Sequence, residues 1–282
     1  MEKVIDYYTR FDEWGRLDRE PIEFNVNLHY MEHYLPPSGS ILDNGAGPGK
    51  YAITFAKKGY RMTLTDVTPR LVEVAKKKAE EHTLTEQFDG FHVADARDLT
   101  CLKDNQFDAS FMLGPMYHLQ AEKDRIKAVQ ELKRVTKKGG LVFVAFMPRS
   151  KHVLTCLENP EHLRPNHTLD GIARFLETGC FDHEDSGRFT GTYYMNTEDI
   201  KPFMQENGFE TLELIGSNVG AVIGNDALNK WREKGEDHKL IQLLAKMARD
   251  PSTLGVSSHL LYIGKVTKPR RRDDENENAH AI

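Results

Sequence analysis

The chain has 282 residues, 39% of them apolar, and its 43 acidic residues outnumber 38 basic ones for a formal charge of −5. That length is ample for one large domain with a buried core. Three cysteines without a CxxC pair exclude a disulfide framework or a zinc ribbon and fit a reducing cytosol. The acidity weighs against general nucleic-acid affinity, which needs a basic face. The longest apolar run, residues 141–147, is too short to span a bilayer, and the charged start differs from a secretory leader; a cytoplasmic protein is expected.

In chain order, Tyr7, Phe11, Trp14 and Leu17 recur at helical spacing, and Phe24, Leu28, Met31 and Leu35 do so after Pro21, so residues 1–35 read as two capping helices. Ser40–Leu42 opens a strand that ends in a glycine turn, Tyr51–Lys58 is a helix stopped by Gly59, and Arg61–Thr65 is a second strand. Thr68-Pro69 reads as the cap and first turn of a helix carrying Leu71, Val72, Ala75 and Ala79. Phe91–Ala94 and Asp108–Leu113 follow as strands, then a helix over Glu122–Lys137 closed by Gly139-Gly140, then a buried strand at Leu141–Phe146. Such alternation predicts a parallel α/β sheet with helices on both faces.

Beyond Met147 the rhythm breaks. Residues 148–197 carry no long periodic run, Thr197–Asn207 is a helix with Thr197 as its cap, and Phe209–Ile215 is a strand. A charged helical stretch at 225–249 precedes a last strand at His259–Val266, and residues 268–282 have almost nothing to bury and read as a disordered tail. A single domain over 1–267 is expected, with the 148–197 and 225–249 insertions and the N-terminal cap over the substrate site.

The glycine turn, ILDNGAGPGK, places Gly45, Gly47 and Gly49 between strand and helix, where a ligand can approach the main chain. A dinucleotide fingerprint would put a third glycine at the position held by Lys50, so the spacing is wrong for a pyrophosphate. Three acids follow in order. Asp43 ends the first strand; Asp66 ends the second, where a carboxylate can accept both hydroxyls of a ribose. Asp95 follows the third, suited to an adenine amino group, with the backbone of Ala96 near a ring nitrogen. Together they outline an adenosine with a zwitterionic amino-acid arm and no phosphates.

On these residues the chain resembles the class I S-adenosylmethionine-dependent methyltransferases, over roughly residues 40–147 and 195–266. LDNGAGPG is similar to the first motif, TLTDVTP to the ribose acid, VADARDL to the adenine site, and FDASFMLGPMYHL to the strand leading to the transfer site, whose Leu113 joins the cofactor-binding set. The resemblance implies a Rossmann-like seven-stranded sheet in the order 3-2-1-4-5-7-6 with the seventh strand antiparallel, and S-adenosylmethionine as donor. Asn44 departs from the hydrophobic residue usual there. Relatives acting on base amines or glutamine amides carry an Asn- or Asp-Pro-Pro-aromatic sequence where this chain has Gly114 and Met116, which counts against those acceptors.

Methyl transfer from a sulfonium is an in-line displacement that gains most from placing the acceptor. A histidine with an ordinary pKa near 6.5 suits removal of the acceptor's proton, so His118 is the candidate general base; the alternative is a histidine that only orders its loop. Aromatic faces suit a sulfonium, which makes Tyr7, Tyr8 and Trp14 candidates beside Tyr117, with Arg149 and Tyr193 as further substrate contacts; each has a plain packing or surface alternative. His29 and His33 stand one helical turn apart but lack a third ligand, and His162 and His167 offer no better, so no metal is expected. The expected acceptor is a small molecule methylated at oxygen or nitrogen. RNA or protein as acceptor, and a donor-binding subunit without turnover, are the alternatives.

Overall fold

The computed structural model describes residues 2–161, 163–185, 187–218 and 224–267. Strands β1 (Ser40–Asn44), β2 (Arg61–Asp66), β3 (Phe88–Val93), β4 (Phe107–Met112) and β5 (Thr136–Phe146) are parallel, and β6 (Cys180–Phe181) pairs with β7 (Thr192–Tyr193) in a separate ribbon. β8 (Phe209–Gly216) and β9 (Leu260–Val266) complete the main sheet in the order β3-β2-β1-β4-β5-β9-β8, with β9 antiparallel to both neighbours. The implied seven-stranded order is thus present, with the last strand between the fifth and the eighth.

Helices α1 (Glu2–Arg10), α2 (Glu13–Arg19) and α3 (Pro21–Tyr34) form the N-terminal cap; α4 (Lys50–Lys57), α5 (Pro69–Glu81) and α6 (Glu122–Val135) alternate with strands. α7 (Arg149–Glu158) and α8 (Leu169–Thr178) follow β5, then α9 (Thr197–Glu206), α10 (Gly224–Glu233), α11 (Asp237–Met247) and α12 (Pro251–Leu254). Alternate strand residues serve opposite faces, as a pleated strand requires. Phe111, Phe143, Leu261 and Ile263 meet α3, α4 and α11 on one side; Met112, Val142, Val144 and Tyr262 meet α6 and α9 on the other. No helix among the described residues is long and apolar enough to cross a membrane.

Several local expectations need correction. The cap has three helices, because Asp12 breaks the first stripe and accepts from Gly15 N at 3.1 Å to start α2. α3 turns Ile22, Val26, Tyr30 and Met31 inward, leaving Phe24 and Leu28 only partly covered. α6 stops at Val135, before the glycine pair: Thr136 takes up Leu132 O through both its N–H and its hydroxyl, and β5 starts there with Gly139 and Gly140 inside it. The 148–197 stretch holds two ten-residue helices. α7 buries only His152 and Cys156, which a search for aliphatic periodicity passes over, while α8 is capped by Thr168 and ended by left-handed Gly179. The cap residue of α9 is Asn196, not Thr197. The tail at 268–282 and His162 lie outside the described residues.

Candidate functional site

The carboxyl ends of β1, β2 and β4 meet where the strand order reverses, the usual position of a ligand crevice in an open α/β sheet. The chain leaves β1 in a turn whose Gly45 and Ala46 N–H groups both donate to Thr65 O, at 2.8 and 3.0 Å. Buried Asn44 is explained by the same seam: its Oδ1 accepts from the Thr65 hydroxyl at 3.0 Å. Gly45 has φ +71°, and a Cβ there would stand 2.2 Å from the ring of Pro115, so only glycine fits.

Asp66 is held by backbone on both oxygens. Oδ2 accepts from Gly47 N and Oδ1 from Thr68 N, each at 2.8 Å. Burial pushes its pKa up, against the pull of those two N–H donors. Asp43 is buried deeper, and desolvation raises its pKa to about 7; its Oδ2 has no hydrogen-bond partner among the described residues. Asp95 is committed to Arg97, whose guanidinium meets Oδ2 at 2.6 Å and Oδ1 at 3.0 Å. The Arg97 hydrogen bonds and charge hold the Asp95 carboxyl below its ordinary range, against the larger opposing effect of burial.

The cap lies across this turn. The Tyr8 hydroxyl on α1 shares a hydrogen bond with His118 Nε2 at 2.9 Å, and the rings meet edge-on. His118 sits in the short 3₁₀ turn Pro115–His118 after β4, with Nδ1 buried beside the main chain of Thr190 and Gly191. Desolvation drives its pKa down to about 4, so the imidazole is neutral at physiological pH. Tyr117 donates to Leu113 O at 3.1 Å.

One cleft, of about 950 Å³ with its open mouth included, collects Asp43, Gly45, Gly47, Asp66, Asp95, Ala96, Leu113, Tyr8, Tyr117 and His118 from the sequence-derived set. The others stand elsewhere. Gly49 starts α4 against Leu64 and Ala75. Tyr7 stacks on Phe11, and Trp14 lies between Lys50 and Lys78, whose Nζ atoms are 5.6 and 5.0 Å from its ring. Arg149 ties the insertion together, donating to Leu176 O at 2.7 Å and Tyr194 O at 3.3 Å. Tyr193 packs on Arg125, 3.6 Å from guanidinium carbon to ring centroid.

Sequence reading missed the charged wall of this cleft. Glu13 and Arg16 line it, and Arg16 Nε bonds Glu13 Oε1 at 2.7 Å while Nη1 stands 3.4 Å from Glu20 and from Glu23. Glu23 is buried, with Oε2 3.0 Å from His259 Nδ1; the His259 ring and the Arg16 guanidinium beside it hold its carboxyl far below the usual range despite the larger opposing effect of burial. The spacing 13, 16, 20, 23 is a readable signal, since steps of three and four put charges on one helical face. Glu20, Glu23 and His259 bring ligand-type atoms within 4.8 Å of one another, with the Arg16 guanidinium already there as counter-charge. His29 and His33 do not belong to that group; they pack edge-on against Tyr30 and Tyr34.

Residues 41–140 match a family model described as a methyltransferase domain. A ubiquinone biosynthesis O-methyltransferase of Xanthomonas axonopodis pv. citri is 30% identical over 126 residues, 44% of this chain and 50% of that protein. A ubiquinone/menaquinone biosynthesis C-methyltransferase of Zymomonas mobilis is 28% identical over 178 residues, 61% of this chain and 67% of that protein. The chain spans about half the length of most of the curated relatives it matches. Among solved structures, a Burkholderia thailandensis 1,6-didemethyltoxoflavin-N1-methyltransferase with bound S-adenosylhomocysteine shares the fold, with a TM-score of 0.56 and 13% identity over 95% of this chain and 86% of that one.

Proposed function

We propose that this chain, whose residues 41–140 match a methyltransferase domain, is a class I S-adenosylmethionine-dependent methyltransferase that moves a methyl group to an oxygen or nitrogen of a small molecule. The observation that carries this reading is the gathering of Asp43, Asp66, Asp95 and the glycine turn around one cleft. Two features fit the donor. Among the described residues Asp43 Oδ2 is a buried acceptor without a partner, suited to an ammonium, and Gly47, where a Cβ would meet nothing closer than Glu13 at 3.4 Å, leaves its main chain open to the cleft. Asp66 takes the ribose hydroxyls with the lone pairs its two N–H donors leave free. Ala94–Ala96 receive the adenine, and Arg16 is placed for the donor's carboxylate.

When bound, the donor supplies an electrophilic methyl, and the protein's part is orientation and water exclusion. α1 and α2 cover the cleft, and Tyr8 presents its hydroxyl there against a neutral His118. With the imidazole proton assigned to Nδ1, Nε2 is the acceptor. The pair is placed to accept a hydrogen bond from an attacking hydroxyl or amine; a pKa of about 4, not the ordinary 6.5, makes the imidazole a weak base, so its main part is to orient the acceptor. The 148–197 insertion closes the acceptor side through Phe189, whose ring is 5.2 Å from that of His118. Among the described residues, the 225–249 stretch contributes no lining residue to the cleft; it braces α3, with Tyr30 donating to Ala245 O at 2.6 Å.

Calorimetry tests the reading. S-adenosylmethionine and S-adenosylhomocysteine should both bind, and Asp66→Ala should weaken both by about tenfold or more. Unchanged binding by that variant removes the ribose assignment. His118→Ala should keep donor affinity and lose turnover with whichever metabolite gains label from isotopically marked donor.

A further inference from the structure

A second cavity, of about 680 Å³ with its mouth included, lies under the insertion, beyond Phe189. Its lining contrasts with that of the donor cleft. The cleft presents Glu13, Asp43, Asp66 and Asp95, whereas this cavity is lined by Lys151, His152, His183 and Arg188 and, among the described residues, by no carboxylate. Such a concentration is notable in a chain of net charge −5. Lys151 and Arg188 form no ion pair within 4.0 Å among the described residues, and exposed Asp185 stands 3.9 Å from His183 Nδ1. The rest of the wall is largely aromatic and apolar: Phe181, Phe189 and Tyr194 line it, with His152 packed at tilted angles among Phe175, Phe181 and Tyr194 at centroid distances of 4.4 to 4.8 Å.

Phe189 stands between the two spaces. Its ring lines the second cavity and packs 5.2 Å from the His118 ring, which lines the donor cleft, and 5.8 Å from Tyr7. One ring, that of Phe189, therefore separates the second cavity from the Tyr8–His118 pair. We propose that this cavity binds the anionic end of an aromatic small molecule, a ring bearing a carboxylate or phosphate, through Lys151 and Arg188, with the rings of Phe181, Phe189 and Tyr194 against its apolar body. That this molecule is the methyl acceptor rests on the function proposed above; the site itself does not. Unpaired cations beside aromatic faces match such a ligand in charge and shape, and Arg188 has the fork geometry that both anions accept.

The test uses the full chain and simple probes: benzoate, phenyl phosphate and benzylamine at millimolar concentrations, followed by ligand-detected NMR and titration. One or both anions should bind and benzylamine should not, and the stronger anion tells carboxylate from phosphate. Lys151→Met with Arg188→Met should weaken the anion by about tenfold or more while leaving S-adenosylhomocysteine affinity as it was. Equal binding of benzylamine, no binding of either anion, or unchanged anion affinity in the double variant would overturn the proposal. Failure of S-adenosylhomocysteine to bind the unmodified chain would instead overturn the methyltransferase reading, with the anion result still deciding the cavity.

Discussion

Asp43 and Asp66 show how two acids of the same type, one strand apart, acquire different properties. Asp66 is buried yet receives two N–H donors, whereas Asp43 faces the cleft with an oxygen unsatisfied among the described residues and a pKa of about 7. A bound ammonium would favour the ionised form of Asp43, so donor binding releases a proton wherever the free carboxyl is still protonated. Donor affinity should therefore rise several-fold between about pH 6 and pH 7.5. Isothermal titration of S-adenosylhomocysteine in that range checks this, and Asp43→Asn should flatten the profile. A pH-independent affinity in the unmodified protein would separate Asp43 from the donor's ammonium.

At the scale of elements, α2 matters more than its seven residues suggest. It carries Glu13, Arg16 and Leu17 into the cleft wall and, through Arg16, binds to Glu20 and Glu23 at the start of α3. Arg16→Met keeps the volume but leaves Glu13 and buried Glu23 short of a counter-charge. Leaving a buried charge uncompensated costs about 3 kcal/mol, and thermal unfolding should show it as a lower Tm. The loss should shrink on acidification, as carboxylates exposed on unfolding or freed from Arg16 take up protons. An unchanged Tm would mean that His259 alone balances Glu23. Charge spacing along residues 13–23 made such a ladder readable, but its helices break at Glu20, and only the packing of α2 on α3 brings the four groups to one guanidinium.

For the whole molecule, two buried imidazoles set the response to acid. Desolvation lowers the pKa of His118 and of His152 to about 4, well below their ordinary 6.5. Between those values the unfolded chain binds more protons than the folded one, so stability falls as pH drops through the window, by about 3 kcal/mol for each group. Asp43 acts oppositely, since its raised pKa favours the folded state at low pH and that contribution is lost towards pH 7. His152→Leu should thus flatten the decline of Tm between about pH 6.5 and pH 4.5, measured by circular dichroism. An equally steep decline would show that acid reaches the fold elsewhere.

What the amino-acid sequence determined by itself is local in origin. Strand and helix alternation, the glycine turn and the acids ending β1 and β2 follow from periodicities of two and 3.6 and from turn chemistry, all confined to a few neighbouring residues. The sheet order came with them through the family resemblance. The tertiary structure decided which candidates meet. Tyr8 reaches His118 across 110 residues of chain, while neighbouring Tyr7 turns to Phe11 and Phe189. Arg149 and Tyr193, plausible substrate contacts as residue types, are taken up by Leu176, Tyr194 and Arg125. The positive cavity under the insertion likewise has no signature along the chain, because Lys151, His183 and Arg188 become neighbours only when α7 and the β6–β7 ribbon pack together. Burial and charge pairing depend on segments far apart in sequence, and those two quantities decide whether a polar side chain serves packing or a ligand.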